Sequence, residues 1–422
     1  IWHFFAIIIL ETFNIGVCHM SKFYNIYDNI STDLSNLFDS LNLHIDKRNL
    51  KILVSTIISM IQAESVVTSK LATSFNSASS SSNSSSNEKT LWRFFNNKHI
   101  DIYDIFNAVS NRVISNISNV RHDLLIVTFD HMFIKNNFVI LMFTLKIDNQ
   151  GIPISFYLER TSSNTHSTIQ KNSRKKLFSQ DFIFNALDHV IDLLKPLNCK
   201  ILFLADRWFF NLSLLKHIQD MGCFFAVRAK IKSSVKVSIY DKKEGHNISK
   251  NLSDLTSYAY KPHYFKDIPF GDMKFKANLA IAPYKKNKKD PDDEDNWFII
   301  TNLEPKLAIK YYKKRFGAIE MFFKAQKSNG FNLEKTKTKN LHAMETLYGV
   351  ACIAHIWLSI LGIDYIKNYN HVKHIINIPF NKKVNGKTTR MLSTFRLGLT
   401  LFKRLFNSIF KLRIKTNFKL YL

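Results

Sequence analysis

Between Asp123 and Lys230 the chain spells out five apolar, β-branched runs in a fixed order. DLLIVTFD (123–130), FVILMFTLKID (138–148) and PISFYLER (153–160) come first, with Asn149-Gln150-Gly151 marking the turn between the second and third. Continuous apolar runs of this length, bounded by turn residues, read as buried strands. Three in succession with short breaks predict an antiparallel meander. After a polar, basic loop (TSSNTHSTIQKNSRKK) come an amphipathic helix (DFIFNALDHVIDLLKPL), a strand (KILFLAD, 200–206), a helix ending at Gly222 (NLSLLKHIQDMG) and a fifth strand (CFFAVRAK, 223–230). The order β-β-β-α-β-α-β leaves few topologies for an α/β sheet. Asp130 closes the first run and Asp206 the fourth. Either one alone reads as a turn or cap residue. Together they suggest one site, because ligands of open α/β sheets gather at strand ends.

A third acid stands in YYKKRFGAIEMFFKAQKSNGFNLEKT (311–336). The stretch reads as a helix with apolar Ile319, Phe322 and Phe323 on one side. Glu320 lies inside that apolar run, and Lys324 and Lys327 follow at i+4 and i+7, on its face. Two readings stand open for it: a surface Glu–Lys pair, or a metal-ligating carboxylate beside phosphate-binding lysines.

The remaining segments supply the domain plan. Residues 1–19 read as an upstream leader, since Met20 opens MSKFYNIYDNIS. Residues 20–118 read as a small helical domain. Within it RNLKILVSTIISMIQAESVVTSKLATSF predicts two helices broken near Ala63–Glu64, the size of a helix-turn-helix. A Ser/Asn tract at 73–88 predicts a flexible insert. Residues 119–230 form the first part of an α/β core. Residues 231–304 read as a β-rich insertion of short strands, whose loop YKKNKKDPDDEDN reads as a solvated hairpin tip. Residues 305–365 complete the core, with HAMETLYGVACIAHIWLSILG as a buried helix, and 366–422 predict basic C-terminal helices.

Charge points to the partner. Lys and Arg number 59 against 33 Asp and Glu, a net charge of +26 spread along the whole chain. Such a surface favours a polyanion, most simply nucleic acid. No basic amphipathic anchor or lipidation motif argues for a membrane. The four cysteines have no paired spacing, which excludes a zinc pattern and fits a reduced, cytoplasmic setting.

The element order is that of the RNase H-like fold, in which the first and fourth strands lie side by side and would bring Asp130 and Asp206 together. With Glu320 and the β-rich insertion before it, the chain resembles the DDE transposases of prokaryotic insertion sequences, most closely the insertion-sequence-four group. The residues that carry the resemblance are TFD with Asp130, LADRWF with Asp206, and YKKRFGAIEMFFKAQKSNGFNLE with Glu320. TLWRFFNN near residue 91, the WFIITNL strand and the SNGFNLEKT tail are also similar to that group.

The resemblance implies that Asp130, Asp206 and Glu320 hold two Mg²⁺ ions, with Mn²⁺ able to substitute. It implies DNA contacts from Tyr312, Arg315, Lys324, Lys327 and Arg207. The expected partner is double-stranded DNA, as terminal inverted repeats and target, engaged by a synaptic dimer in a nucleoid-associated setting. The group carries a Tyr-Arg-Glu-Lys signature with two, three and six residues between members. Here Tyr312, Arg315, Glu320 and Lys327 are separated by two, four and six. In a straight helix the extra residue swings Arg315 by roughly 100°. A π-bulge near Gly317 would absorb it. The second motif also departs from the group, with Trp208 where a Gly is usual. The alternatives are a decayed DNA-binding relic, or a nuclease of the same fold that does not join strands.

Overall fold

The computed structural model describes residues 26–41, 43, 45–75, 83–117, 123–134, 138–161, 178–230, 235–241, 244–255, 261–271, 275–283, 296–373, 376–384 and 387–411. Residues 1–25, most of the loop after the third strand, the YKKNKKDPDDEDN loop and residues 412–422 lie outside them.

Among the described residues five helices come first: α1 (Ile26–Asp39), α2 (Lys47–Ala63), α3 (Thr68–Ser74), α4 (Ser84–Phe95) and α5 (Ile102–Ile117). Asp46 caps α2 by accepting from the Asn49 N–H at 2.9 Å, and Glu64 closes it in the left-handed region (φ 44°). The break therefore falls where the sequence places it. However, α2 is buried continuously from Leu53 to Ile61. As the first helix of a helix-turn-helix it would be a core element. The Ser/Asn tract is not one flexible insert. Ser74 ends α3, Asn83 caps α4 through the Ser86 N–H, and 84–88 are helical. The reason is Asn87, whose buried amide donates to the carbonyls of Ala72 and Phe75 and so ties α4 to the end of α3. Residues 76–82 of the tract lie outside the described residues.

The α/β core then unfolds in the predicted order: β1 (Leu124–Ile134), β2 (Phe138–Ile147), β3 (Gln150–Arg160), α6 (Gln180–Leu194), β4 (Lys200–Ala205), α7 (Leu212–Asp220) and β5 (Phe224–Arg228). β1 pairs with β2, and β2 with β3, antiparallel; β4 lies parallel to both β1 and β5. The turn between β2 and β3 is Asp148-Asn149, with Asp148 at φ 50°; Gln150 and Gly151 already belong to β3. The predicted insertion supplies β6 (Lys236–Asp241), β7 (His246–Asn251), β8 (His263–Phe270), β9 (Phe275–Pro283) and β10 (Asn296–Thr301). Because β10 pairs antiparallel with β5, these strands extend the core sheet. Among the described residues the order is β3-β2-β1-β4-β5-β10-β9-β8-β6-β7. The fold is a mixed α/β structure of the RNase H-like class, built on a large mixed sheet with helices at both ends.

The next helical segment starts with α8 (Pro305–Tyr312), passes through a 3₁₀ turn (Lys313–Arg315) and a π-helical turn (Phe316–Glu320), and continues as α9 (Met321–Lys327). It does not reach Thr336: after Lys327 the chain turns through Gly330 and left-handed Asn332 into a short 3₁₀ turn at Leu333–Lys335. α10 (Leu341–Lys367) follows. It is long and apolar enough to cross a membrane, but it is almost wholly buried in this fold. After α11 (Tyr369–Val372), a hairpin of β11 (Asn381–Val384) and β12 (Lys387–Arg390) stands where only helix was expected; α12 (Thr394–Lys411) then returns along α10. The two helices touch backbone to backbone. A Cβ on Gly362 would lie 1.9 Å from the Thr394 carbonyl oxygen, and one on Gly398 1.9 Å from that of Leu358.

Strand alternation divides the core between two faces. Ile126, Leu202, Leu204, Ala226 and Ile299 pack under Ala308 and Tyr312 of α8. Val127, Phe129, Phe203 and Phe225 point the other way, into the larger core shared with α10. Asp130 and Asp206 have the parity of Ile126 and Leu204 and so belong to the α8 face.

Candidate active site

The parallel ladder between β1 and β4 ends with Thr128 opposite Leu204. Continued by two residues, that register would set Asp130 against Asp206. Asp130 does not end its strand, as the sequence suggested. β1 runs on to Ile134 because β2 still pairs with it, Asp130 facing Met142. β4 stops at Ala205, and Asp206 turns the chain by accepting the Trp208 N–H at 2.8 Å. Asp130 is therefore the place where the sheet narrows from two neighbours to one.

The helical segment delivers the rest. Pro305 starts α8 and Tyr312 ends it, buried against Trp297 of β10 (ring centroids 5.4 Å apart). From there Arg315 reaches into the sheet end. The π-turn spans Phe316–Glu320 and brings Glu320 to the same side as Arg315, which bonds it. Gly151 makes room for this, since a Cβ there would come within 2.9 Å of the Ala318 backbone.

Arg315 is the hub. Only 5% exposed, it donates through Nη2 to Asp130 Oδ2 and through Nη1 to Glu320 Oε1 at 2.8 Å. The His131 N–H donates to the other oxygen of Asp130 at 2.8 Å. Burial raises the Asp130 carboxyl to about 7, with Arg315 pulling down and Asp206 and Glu320 pushing up. Burial likewise raises Asp206 and Glu320 against the pull of Arg315; Arg207 and Lys230 also pull Asp206 down. For the guanidinium, burial opposes its charge but the surrounding acids prevail and raise it.

The structure thus gathers Asp130, Asp206, Glu320, Arg315 and Tyr312. Tyr312 and Arg315, expected to position the DNA end, are both buried, at 3% and 5% exposed. Glu320 finds its ion pair in Arg315 rather than Lys324. Lys324 is exposed and lines a cavity of about 410 Å³ together with Glu64 and Arg396. Lys327 pairs with Glu334 at 3.4 Å. Arg207 is half-buried beside Asp206. Lys230, absent from the sequence reading, follows β5 immediately beside β4; its place past a strand end was the available signal. Among the described residues no three His, Cys, Asp or Glu side chains close on one point; the guanidinium stands among the acids.

The family model described as the transposase DDE domain matches residues 185–357. The match runs from α6 into α10 and includes Asp206 and Glu320, while Asp130 lies before it. It supports a DDE transposase, and with it DNA as the partner. No curated protein matches the chain.

Proposed function

We propose that this chain is a DNA transposase of the insertion-sequence-four kind, cutting the ends of its element and joining the freed 3′-hydroxyl to target DNA. The observation that carries the reading is that Asp130 and Glu320, from separate elements, pair with one buried cation, Arg315, whose charge also acts on Asp206, with a π-turn between Arg315 and Glu320.

The side chains fit divalent metal ions. All three are hard oxygen donors of the kind Mg²⁺ prefers, with Mn²⁺ as substitute. The pairing of Arg315 with Asp130 and Glu320 supports a field that draws positive charge. When bound, two such ions supply an activated water or 3′-hydroxyl and stabilise charge on the leaving oxygen. The residues themselves do the rest. Asp130 and Asp206 hold the sheet end, and Glu320 closes it from the helix. Arg315 exchanges its carboxylate partners for a DNA phosphate, anchored from below by Tyr312. Lys324, Lys327 and Arg207 bind backbone phosphates along the rim, Lys327 giving up Glu334 to do so. Phosphate contacts of this kind position the duplex, and the N-terminal helices would read the terminal repeats. The excess positive charge makes binding fall steeply with salt. Two copies in a synaptic complex, acting on the nucleoid in the cytoplasm, complete the reading.

The test is strand transfer: a pre-cut element end with a labelled 3′-hydroxyl, incubated with supercoiled plasmid and Mg²⁺. Joined product is expected from wild type and none after chelation. Cleavage without joining would favour a nuclease instead.

A further inference from the structure

The residue next to the Asp206–Arg207 pair is an indole facing water. Trp208 is 50% exposed, whereas Phe209 beside it is 3% exposed and packs on Phe129 and His131. The core needs Phe209; it does not need Trp208. Yet Trp208 is held in place. Its backbone N–H donates to Asp206 Oδ1, so the acid that turns the chain also fixes the base of the indole. Lys230, arriving from β5, sets its ammonium over the ring, 5.1 Å from the centroid. Arg207 precedes it. An electron-rich face flanked by cations, two residues from a site acid, has the elements of single-strand recognition: aromatic faces for bases, positive charge for phosphates. A base inside a duplex hides its faces in the stack, so this ring favours an unpaired one.

We infer that Trp208 is a stacking platform for an unpaired nucleobase at the cut end of the DNA, with Lys230 and Arg207 holding the phosphates on either side. This rests on the transposase reading of the acid cluster and adds to it a contact for which the family motif, with Gly usual at this place, has no side chain.

The probe is a duplex of about 20 base pairs with one unpaired 2-aminopurine nucleotide at a 3′ end, compared with the same duplex blunt, at low salt without metal. Wild type should quench the 2-aminopurine and prefer the overhang. Trp208→Ala should lose most of the quench, and its overhang-to-blunt affinity ratio should fall roughly tenfold. Trp208→Phe should keep both, since a ring face suffices. Unchanged quenching in Trp208→Ala would overturn the inference while leaving the transposase reading intact. So would equal loss in the Ala and Phe variants, which would mark a structural role. Wild type that binds neither duplex would remove the transposase reading and this inference together.

Discussion

Two buried polar centres lie against β3, and they are built on opposite terms. In one, Gln150 donates to His355 Nε2 at 3.0 Å and accepts from the Thr394 hydroxyl at 3.2 Å, joining β3, α10 and α12. His355 is stacked on Phe395, with Phe322 edge-on. Burial lowers its imidazole to about 3, so it stays neutral. The other centre pairs one guanidinium with Asp130 and Glu320 and keeps Asp206 within its electrostatic reach, with every carboxyl pushed up by burial. The first is uncharged and serves cohesion. The second carries more acid than its single cation can balance. That imbalance costs stability and is what a site needs if other cations are to bind there.

The largest expected effect belongs to the cohesive side. Gly362→Ala forces a methyl into the Thr394 carbonyl, so α10 and α12 must separate; a loss of roughly 3 kcal/mol or more is expected from chemical denaturation. A loss below about 1 kcal/mol would show that the helices pack less closely than described.

Arg315→Met acts on the charged side. It leaves the acids without their cation, and stability should fall by about 3 kcal/mol at pH 8. Mn²⁺ should then raise the melting temperature of the variant more than that of wild type. Equal rises would mean that Arg315 and the metal do not compete for the same oxygens.

The smallest effect is a pH slope. Asp130 holds its proton to about 7 when folded, against about 4 in an unfolded chain. The folded state therefore binds the extra proton between these values, and stability falls as pH rises through that window. Below about 4 the cost is absent, and above about 7 it is full. Asp130→Asn should flatten the slope, gaining on the order of 2 kcal/mol relative to wild type between pH 4 and pH 7.5. Parallel slopes would show that Asp130 is not the group responsible.

Much of this was legible in the chain. Apolar runs and turn residues gave β1 to β5 in order, because buried strands leave a continuous signal. Counting residues from Arg315 to Glu320 left two outcomes, a π-bulge near Gly317 or a misaligned Arg315, and a π-turn spans Phe316–Glu320. What failed needed partners distant in sequence. Asp130 read as a strand end because its run of apolar residues stops, yet β2 carries the ladder past it. Ser84 to Glu88 read as flexible because nothing local reveals that Asn87 will meet the carbonyls of Ala72 and Phe75. The depth of Tyr312 and Arg315 was not legible, because a sequence does not show which way a helix lies on a sheet. Lys230 was missed because its relation to Asp206 exists only once β5 pairs with β4.

The most direct measurement is Mg²⁺-dependent nicking of a labelled element-end duplex by wild type and by Glu320→Gln, both checked for folding and DNA binding. The account predicts nicking at the end by wild type, a fall of at least about a thousandfold in the variant, and equal salt dependence of binding in the two. Nicking by Glu320→Gln at the wild-type rate would contradict the assignment of the three acids, and an inert wild type that still binds DNA would make the chain a relic.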